Sequence, residues 1–401
     1  MKNLLLNDLI TDDTTRLNEN KIFLKTSQNS KYAKHIKNYI TPKELLKKLD
    51  LKTQFVALTG TNGKTTTAFV LGHLLRAAGF NVGVQGTEGF YYNGKKVEDK
   101  TLTTPPVLTT IKRAVAYECD FFIMEVSSHA IVQNRIEALE FKAKIFTSFS
   151  QDHLDFHKSM EEYRKVKESF FQDEAIKVVK GRLIKADRVE IDGYQFVMNP
   201  QNLYVISKPL FEDIPMAGEF NKYNFSLAFK TAQILSSKSE EELKKAIETF
   251  KGVAGRMEII AKSPTVIVDF AHTPDGMEKV LESIKGKKTV VFGTGGERDS
   301  KKRPLMGEIA DKYADYIILT EDNPRCENVK TICEDIAKGI KKTPYEVIVK
   351  REDAIKKALS IAKKNNYTLL ILGKGDEKYI QYCNHRREYS DKRCVKEILN
   401  D

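Results

Sequence analysis

Residues 55–66 read Phe55-Val56-Ala57-Leu58-Thr59-Gly60-Thr61-Asn62-Gly63-Lys64-Thr65-Thr66, and the rest of the chain is arranged around them. The opening run is apolar or β-branched, the pattern of a buried strand. Gly60 and Gly63 frame a turn, and residues 67–78 continue with a helical pattern. Strand, glycine turn and helix together make a phosphate loop. Small residues let backbone N–H groups face a polyphosphate at a helix N-terminus, where the helix dipole adds to the attraction. Gly60, Thr61, Asn62, Gly63, Lys64, Thr65 and Thr66 are therefore expected to bind a nucleotide. Lys64 would reach the terminal phosphates and Thr65 would hold Mg²⁺. The generic loop has Gly where Leu58 stands here.

Outward from this loop, residues 49–254 alternate strand patterns (55–59, 81–84, 121–126, 145–148) with helical ones (67–78, 106–117). That alternation predicts a parallel sheet with crossover helices. Shorter β-like runs over 175–179, 194–198 and 203–206, with turn signals at Asp192-Gly193 and Asn199-Pro200, predict an antiparallel appendage. Residues 1–48 form a small leading unit, with a strand over 22–24 and a helix over 42–49 that Thr41 would cap. Residues 255–401 repeat the α/β rhythm, with strands over 265–269, 289–293, 316–320, 346–349 and 368–372. Ligands of open α/β sheets bind beyond the carboxyl ends of the strands. Four of those ends carry unusual loops: Asp269 with His272, Gly293-Thr294-Gly295-Gly296, Asp322-Asn323-Pro324-Arg325 and Gly373-Lys374-Gly375. Together on one sheet edge they predict a binding crevice.

A chain of 401 residues suggests about two or three domains. Lysine and arginine exceed aspartate and glutamate by 11. This balance suits anionic partners, but the lysines are scattered and no basic helix is interleaved with aromatics, so nucleic acid is not an expected partner. The five cysteines (Cys119, Cys326, Cys333, Cys383, Cys394) show no C-x-x-C spacing and read as reduced thiols. With neither a signal-peptide pattern nor an apolar run of membrane-spanning length, a cytoplasmic protein without membrane insertion is expected. A monomer is expected as well.

Several charged residues stand in unusual settings. Glu125 closes an apolar strand, where a buried carboxylate needs a partner or a metal. It is either a Mg²⁺ ligand or a residue at the strand's exposed end. His153, in Gln151-Asp152-His153-Leu154, lies just past another apolar strand and is a second candidate ligand. Along residues 160–171, Met160, Tyr163, Val166 and Phe170 recur at helical spacing, and Lys167 falls on that face. A lysine there either snorkels or faces a site that lowers its pKa and makes the amine reactive. Arg135 suits a carboxylate or phosphate through its planar fork. Arg256 either clamps a phosphate or bridges two domains.

Taken together, these motifs resemble the Mur ligase superfamily, ATP-dependent amide-bond ligases that include the folylpolyglutamate synthetases. Gly60-Thr61-Asn62-Gly63-Lys64-Thr65-Thr66 is similar to that superfamily's phosphate loop. Thr103-Thr104-Pro105, Glu125-Val126-Ser127-Ser128-His129, Gln133 with Arg135, Gly255-Arg256-Met257-Glu258, Arg303-Pro304-Leu305-Met306-Gly307 and Tyr389-Ser390-Asp391 narrow the resemblance. They look like the branch that adds the third residue to UDP-N-acetylmuramoyl-L-alanyl-D-glutamate in peptidoglycan precursor synthesis. Asp322-Asn323-Pro324-Arg325 is similar to the motif of members that add meso-2,6-diaminopimelate.

The resemblance implies an α/β fold of three domains: a small trimmed N-terminal unit (1–48), a central P-loop ATPase-like parallel sheet (49–254) and a C-terminal Rossmann-like sheet (255–401). It implies that Lys64, Lys167 and His153 are catalytic. ATP would meet the phosphate loop together with Asn221, Asn224, Arg256 and Asp269. Mg²⁺ would be held by Thr65, Glu125, His153 and Lys167, the last carrying a carbamate from CO₂. Thr103, Thr104, Ser127, Gln133 and Arg135 match binders of the muramoyl dipeptide. Arg303, Asp322, Asn323, Pro324, Arg325, Gly373 and Glu377 match the diaminopimelate site. Domain closure is expected to bring the sites together. In two places the chain differs from the family. Asp13-Thr14-Thr15-Arg16 stands where Asp-Ser-Arg is usual, and Asp376 where many diaminopimelate members have His. The rival readings are a lysine-adding ligase, a folylpolyglutamate synthetase, a nonenzymatic P-loop module and a nucleic-acid-binding ATPase.

Overall fold

The computed structural model describes residues 1–99 and 102–400, with Asp155 described by its backbone alone. The chain forms two compact units. The first comprises Met1–Phe149, Ser159–Ile214 and Lys222–Phe250, and the second Ser150–Lys158, Pro215–Asn221 and Lys251–Asp401.

The first unit opens with a three-stranded parallel sheet of β1 (Ile10–Thr11), β2 (Ile22–Leu24) and β3 (Tyr39–Ile40). The helix Pro42–Leu49 follows, and Thr41 caps it as expected. Its hydroxyl accepts from the Glu44 N–H, and the Glu44 carboxylate accepts from the Thr41 N–H at 2.9 Å. Such a box stabilises a helix start by about 1 kcal/mol.

The main sheet of this unit contains β4 (Gln54–Thr59), β5 (Val82–Gly86), β6 (Gly89–Tyr92), β7 (Lys95–Glu98), β8 (Phe121–Glu125), β9 (Phe141–Phe146) and β10 (Ile176–Lys180). A small antiparallel sheet follows, β11 (Arg182–Lys185), β12 (Arg188–Ile191) and β13 (Tyr194–Val197), before β14 (Leu203–Ile206) returns to the main sheet. The main order is β14-β10-β9-β4-β8-β5-β6-β7, parallel from β14 to β5. This corrects the expected appendage. The runs at 175–179 and 203–206 pair in parallel with the main sheet, and only the segment between them is antiparallel. The interior of β10, Lys177-Val178-Val179, is buried, as a parallel strand covered on both faces must be.

An aromatic cluster packs behind the phosphate loop. Phe146 stacks on Phe171, and Phe149 stacks on Tyr163 and meets Phe196 edge-on. Burying each of these rings contributes about 2 kcal/mol.

The second unit is built on a six-stranded sheet of β15 (Glu258–Lys262), β16 (Thr265–Asp269), β17 (Lys288–Phe292), β18 (Tyr316–Leu319), β19 (Tyr345–Val347) and β20 (Thr368–Leu372). The order is β15-β16-β20-β17-β18-β19, with only β15 antiparallel. The carboxyl ends of β16, β20, β17 and β18 therefore share one edge, and the four loops singled out above leave from it. A hairpin, β21 (Tyr379–Gln381) with β22 (Arg386–Glu388), continues from the β20 end. It corrects the reading of five reduced thiols. Cys383, just beyond β21, is disulfide-bonded to Cys326, and only Cys119, Cys333 and Cys394 are free thiols. A 57-residue separation carries no spacing signal, because the sheet, not the sequence, brings the pair together. Among the described residues no helix is long and apolar enough to cross a membrane.

Candidate active site

In the first unit, β4 delivers the chain into the phosphate loop, and the backbone there needs glycine. Gly60 has φ +144° and Gly63, at the helix N-cap, φ +87°. The end of β9 braces the loop from below. The Thr61 N–H donates to Ser148 O at 2.8 Å, the Asn62 N–H to Ser148 Oγ at 2.9 Å, and Thr147 Oγ1 to Asn62 O at 2.5 Å. The Lys64 ammonium folds back onto the loop carbonyls of Gly60 (2.7 Å) and Thr61 (2.9 Å). Thr66 is buried at the start of the helix Lys64–Ala77, and the Asn224 side chain lies against Gly63.

Glu125 is only 1% exposed, so it is not at an open strand end. Its carboxylate accepts from Thr65 Oγ1 at 2.8 Å and from the Thr87 N–H and hydroxyl at 3.0 Å each. Thr87 was not anticipated from sequence. Gly86 before it has no room for a side chain, since an added Cβ would sit 2.2 Å from Glu125 Oε1.

The expected dipeptide binders gather beside this carboxylate. Thr104 Oγ1 donates to Glu125 O at 2.9 Å and accepts from the Ser127 N–H at 3.0 Å. Arg135 donates to Thr104 O at 3.0 Å and to the Gln133 side chain. Thr103 Oγ1 lies 3.4 Å from Thr87 Oγ1.

Lys167, 1% exposed, does not snorkel. Its amine donates to Thr59 Oγ1 at 3.1 Å and lies 4.9 Å from the centre of the Tyr163 ring. The helix Met160–Ser169 thus aims it at the end of β4, where the phosphate loop begins.

Elsewhere in this unit, a cavity of about 360 Å³ is lined by Asp12, Asp13, Thr14, Thr26, Gln28, Asn29, Tyr32 and Pro106.

In the second unit, Asp269 at the end of β16 accepts the Met257 and Ala271 N–H groups at 2.7 Å each. Burial raises its carboxyl, against the pull of Arg256. Arg256 lies over the Phe270 ring. Asn221, fully buried, donates to Ala217 O. His153 sits 3.3 Å from Asp152. Burial alone would raise Asp152, but His153, His272 and Lys302 hold it below the usual range. The His272 ring is exposed, with Nδ1 2.9 Å from Phe270 O.

The β18 and β20 ends meet closely. Asn323 donates to Glu377 Oε2 at 2.9 Å. Lys374, 0% exposed, bridges Asn323 Oδ1 (3.2 Å) and Glu377 Oε2 (3.0 Å). Sequence reasoning placed Lys374 in a strand-end loop but not in the site. A lysine between two glycines after an apolar strand was the available signal.

Asp322 is buried, which raises its carboxyl, and it lies so close to Gly373 that a Cβ there would be 2.4 Å from its Oδ2. Arg325 has φ +52° and donates to Gly296 O at 2.6 Å, while its N–H is held by Gln381 O. The Pro324 carbonyl abuts Gly296. Arg303 is engaged differently, its guanidinium held by Glu327 (2.8 Å) and Asp335 (3.1 Å).

Among the described residues no group of three or more His, Cys, Asp or Glu gathers to hold a metal ion. Mg²⁺ needs only one or two carboxylates, completing its shell with water and phosphate. The hard oxygens of Glu125 and Thr65, 2.8 Å apart at a phosphate loop, fit that requirement.

Comparison with known proteins agrees with this geometry. Residues 58–184 match the Mur ligase middle domain, and residues 255–375 match the Mur ligase, glutamate ligase domain. The chain belongs to the Mur ligase family, whose members are ligases dependent on ATP and Mg²⁺. Within that family, three relatives of 39–40% identity carry one name, UDP-N-acetylmuramoyl-L-alanyl-D-glutamate–2,6-diaminopimelate ligase. The protein of that name from Helicobacter pylori is 40% identical, covering 97% of this chain and 95% of its own. The one from Helicobacter hepaticus is 39% identical, covering 94% and 89%. A solved structure of a ligase with this name aligns over 98% of this chain and 94% of its own, with TM-score 0.61 and 24% identity. A Mycobacterium tuberculosis folylpolyglutamate synthase aligns with TM-score 0.69 over 93% and 96%, at 14% identity, and so shares the fold alone.

Proposed function

We propose that this chain joins meso-2,6-diaminopimelate to UDP-N-acetylmuramoyl-L-alanyl-D-glutamate, converting ATP to ADP and phosphate. The observation that carries the reading is the 40% identity to a ligase of that name over nearly the whole chain. The site chemistry supports it. The γ-phosphoryl group of ATP passes to the free D-glutamate carboxylate, giving an acyl phosphate and ADP. The diaminopimelate amine then attacks the acyl carbon, phosphate leaves, and the amine loses its proton. Mg²⁺ neutralises charge on the phosphates when bound.

The roles of individual residues follow as proposals. Gly60–Thr66 cradle the phosphates, Asn221, Asn224, Arg256 and Asp269 hold the nucleotide, and Glu125, Thr65 and His153 serve as Mg²⁺ ligands. Thr103, Thr104, Ser127, Gln133 and Arg135 receive the dipeptide, and the cavity between Asp12 and Tyr32 receives the uridine end. Arg325 takes the distal carboxylate of diaminopimelate and Asp322 or Glu377 its ammonium, in a loop fixed by Pro324 and Gly373. Arg303 acts on a carboxylate only by exchanging it for Glu327 or Asp335. Lys167 is carbamylated, its neutral amine adding to CO₂ with loss of a proton. The amine lies buried, 3.1 Å from Thr59 Oγ1 at the start of the phosphate loop. The three functional modules are residues 1–48, 49–254 and 255–401, acting as a cytoplasmic monomer with no nucleic-acid partner.

The test is phosphate release from ATP with the UDP-linked dipeptide, offering meso-diaminopimelate or L-lysine in parallel. Turnover with diaminopimelate alone is expected. Equal turnover with lysine would remove the role given to Arg325, and no turnover with either would remove the reading. For the carbamate, ¹³CO₂ labelling should give a carbamate carbon signal that Lys167→Ala abolishes.

A further inference from the structure

The loops carrying Asp322 and Gly373 leave from β18 and β20, which are not neighbours. β17 lies between them in the sheet, and beyond its end the loops are tied through Asn323, which meets Lys374 and Glu377. Arg351, at the start of the helix Arg351–Asn365, spans that gap. Its Nη1 donates to Glu321 O at 3.0 Å and its Nη2 to Leu372 O at 2.9 Å. These carbonyls belong to the residues immediately before Asp322 and Gly373.

The guanidinium is itself locked. Asp391 accepts from Nε at 2.8 Å and from Nη2 at 2.9 Å, and Tyr389 OH donates to the same carboxylate at 2.8 Å. Arg351 and Asp391 are both 0% exposed. Burial works against the cation, and Asp391 more than offsets it. A buried ion pair is a poor device for stability alone, since an apolar pair of the same volume often does as well. What an apolar pair cannot do is hold two carbonyls at fixed positions.

We propose that Arg351, locked by Asp391 and Tyr389, is a positioning residue that sets the spacing between the Asp322 and Gly373 loops, and so the affinity for the incoming amino acid. This rests on the reading that these loops hold diaminopimelate. The guanidinium touches no reacting atom. Its effect belongs to one substrate of three.

The experiment measures KM for diaminopimelate, ATP and the UDP-linked dipeptide in the wild type, Arg351→Lys and Tyr389→Phe. Lysine keeps the charge but cannot reach two carbonyls and a carboxylate in one plane. Arg351→Lys should raise KM for diaminopimelate about tenfold or more and leave the other two within about twofold. Tyr389→Phe removes only one hydrogen bond to Asp391 and should raise it about two- to fivefold. If Arg351→Lys does not fold, Tyr389→Phe decides alone. A uniform rise in all three constants, a fall in kcat with unchanged KM, or no change in Tyr389→Phe would overturn the proposal. Failure of the wild type to use diaminopimelate would instead overturn the underlying reading.

Discussion

Gly60→Ala tests whether the phosphate loop works through its backbone shape. At φ +144° an L-residue is strained by about 1–3 kcal/mol. The added Cβ would also stand 2.0 Å from Thr147 Oγ1, 2.9 Å from Ser148 N and 3.0 Å from Ser148 O. The Thr147 hydroxyl can turn away, but that breaks its bond to Asn62 O, costing about 1 kcal/mol. Ser148 cannot follow, because its carbonyl and hydroxyl hold Thr61 and Asn62. The sum is about 2–4 kcal/mol, concentrated where the nucleotide binds. At about 1.4 kcal/mol per tenfold, kcat/KM for ATP should fall at least about 30-fold. Gly79→Ala is the control. It has φ +97° just beyond the helix Lys64–Ala77, and nothing lies within 4 Å of the new Cβ. It carries the backbone strain alone, so stability should drop while kcat/KM for ATP stays within about twofold. The assay is phosphate release at varied ATP with the other substrates saturating. A Gly60→Ala enzyme within about threefold of wild type, or one no worse than Gly79→Ala, would refute the argument.

Lys374→Met should destabilise the protein by about 3 kcal/mol in denaturant titration, because Glu377 loses its buried cation. It should also raise KM for diaminopimelate selectively, and an unchanged midpoint would contradict the pairing. Thiol titration of the native protein should find no reactive thiol, since Cys119, Cys333 and Cys394 are all buried. Denaturant alone should expose three thiols, and denaturant with reductant all five. Five thiols without reductant would remove the Cys326–Cys383 bond. Burial pushes Cys119 and Cys333 up to about 12 and Cys394 up to about 11, from 9.0 for an ordinary thiol. Unfolded thiols ionise first, so this contribution is intact below pH 9 and is lost as pH rises toward 12. Denaturation midpoints should fall across that window, less steeply in Cys119→Ala and Cys333→Ala, and a flat profile would count against it.

Local patterns carried most of the elements around the candidate site. The phosphate loop, the Thr41–Glu44 box and the strand ends of the second sheet are legible because neighbours in sequence decide them. What escaped is non-local. Whether the run at 175–179 pairs in parallel or antiparallel depends on β9 and β14, tens of residues away. Cys326 and Cys383 meet only because β18 and β20 share an edge. Lys374 reads as a turn lysine until Asn323 and Glu377 close over it. Arg351 opens a helix with no cap signal, and its partners lie 21, 30 and 40 residues away. The Glu125 alternatives could not be separated either, since the strand pattern says nothing of Thr65 and Thr87 arriving from other elements.

The same edge explains how a diamino acid could be told from lysine. Both side-chain hydrogen bonds of Arg325 run from Nη1, to Gly296 O and Asn323 O. Burial, and Arg298 nearby, pull its pKa down, so the cation sits where it is under-compensated. A carboxylate brought by the substrate would correct that deficit. Glu377, paired with Lys374 at 3.0 Å, supplies an acidic side across the loop. An ammonium alone satisfies the acidic side and brings Arg325 no carboxylate. A site built around a polar group rejects the analogue lacking it by far more than one that merely misses a contact. On the proposed reading, discrimination against lysine therefore comes less from attraction to the distal carboxylate than from the cost of closing the site without it.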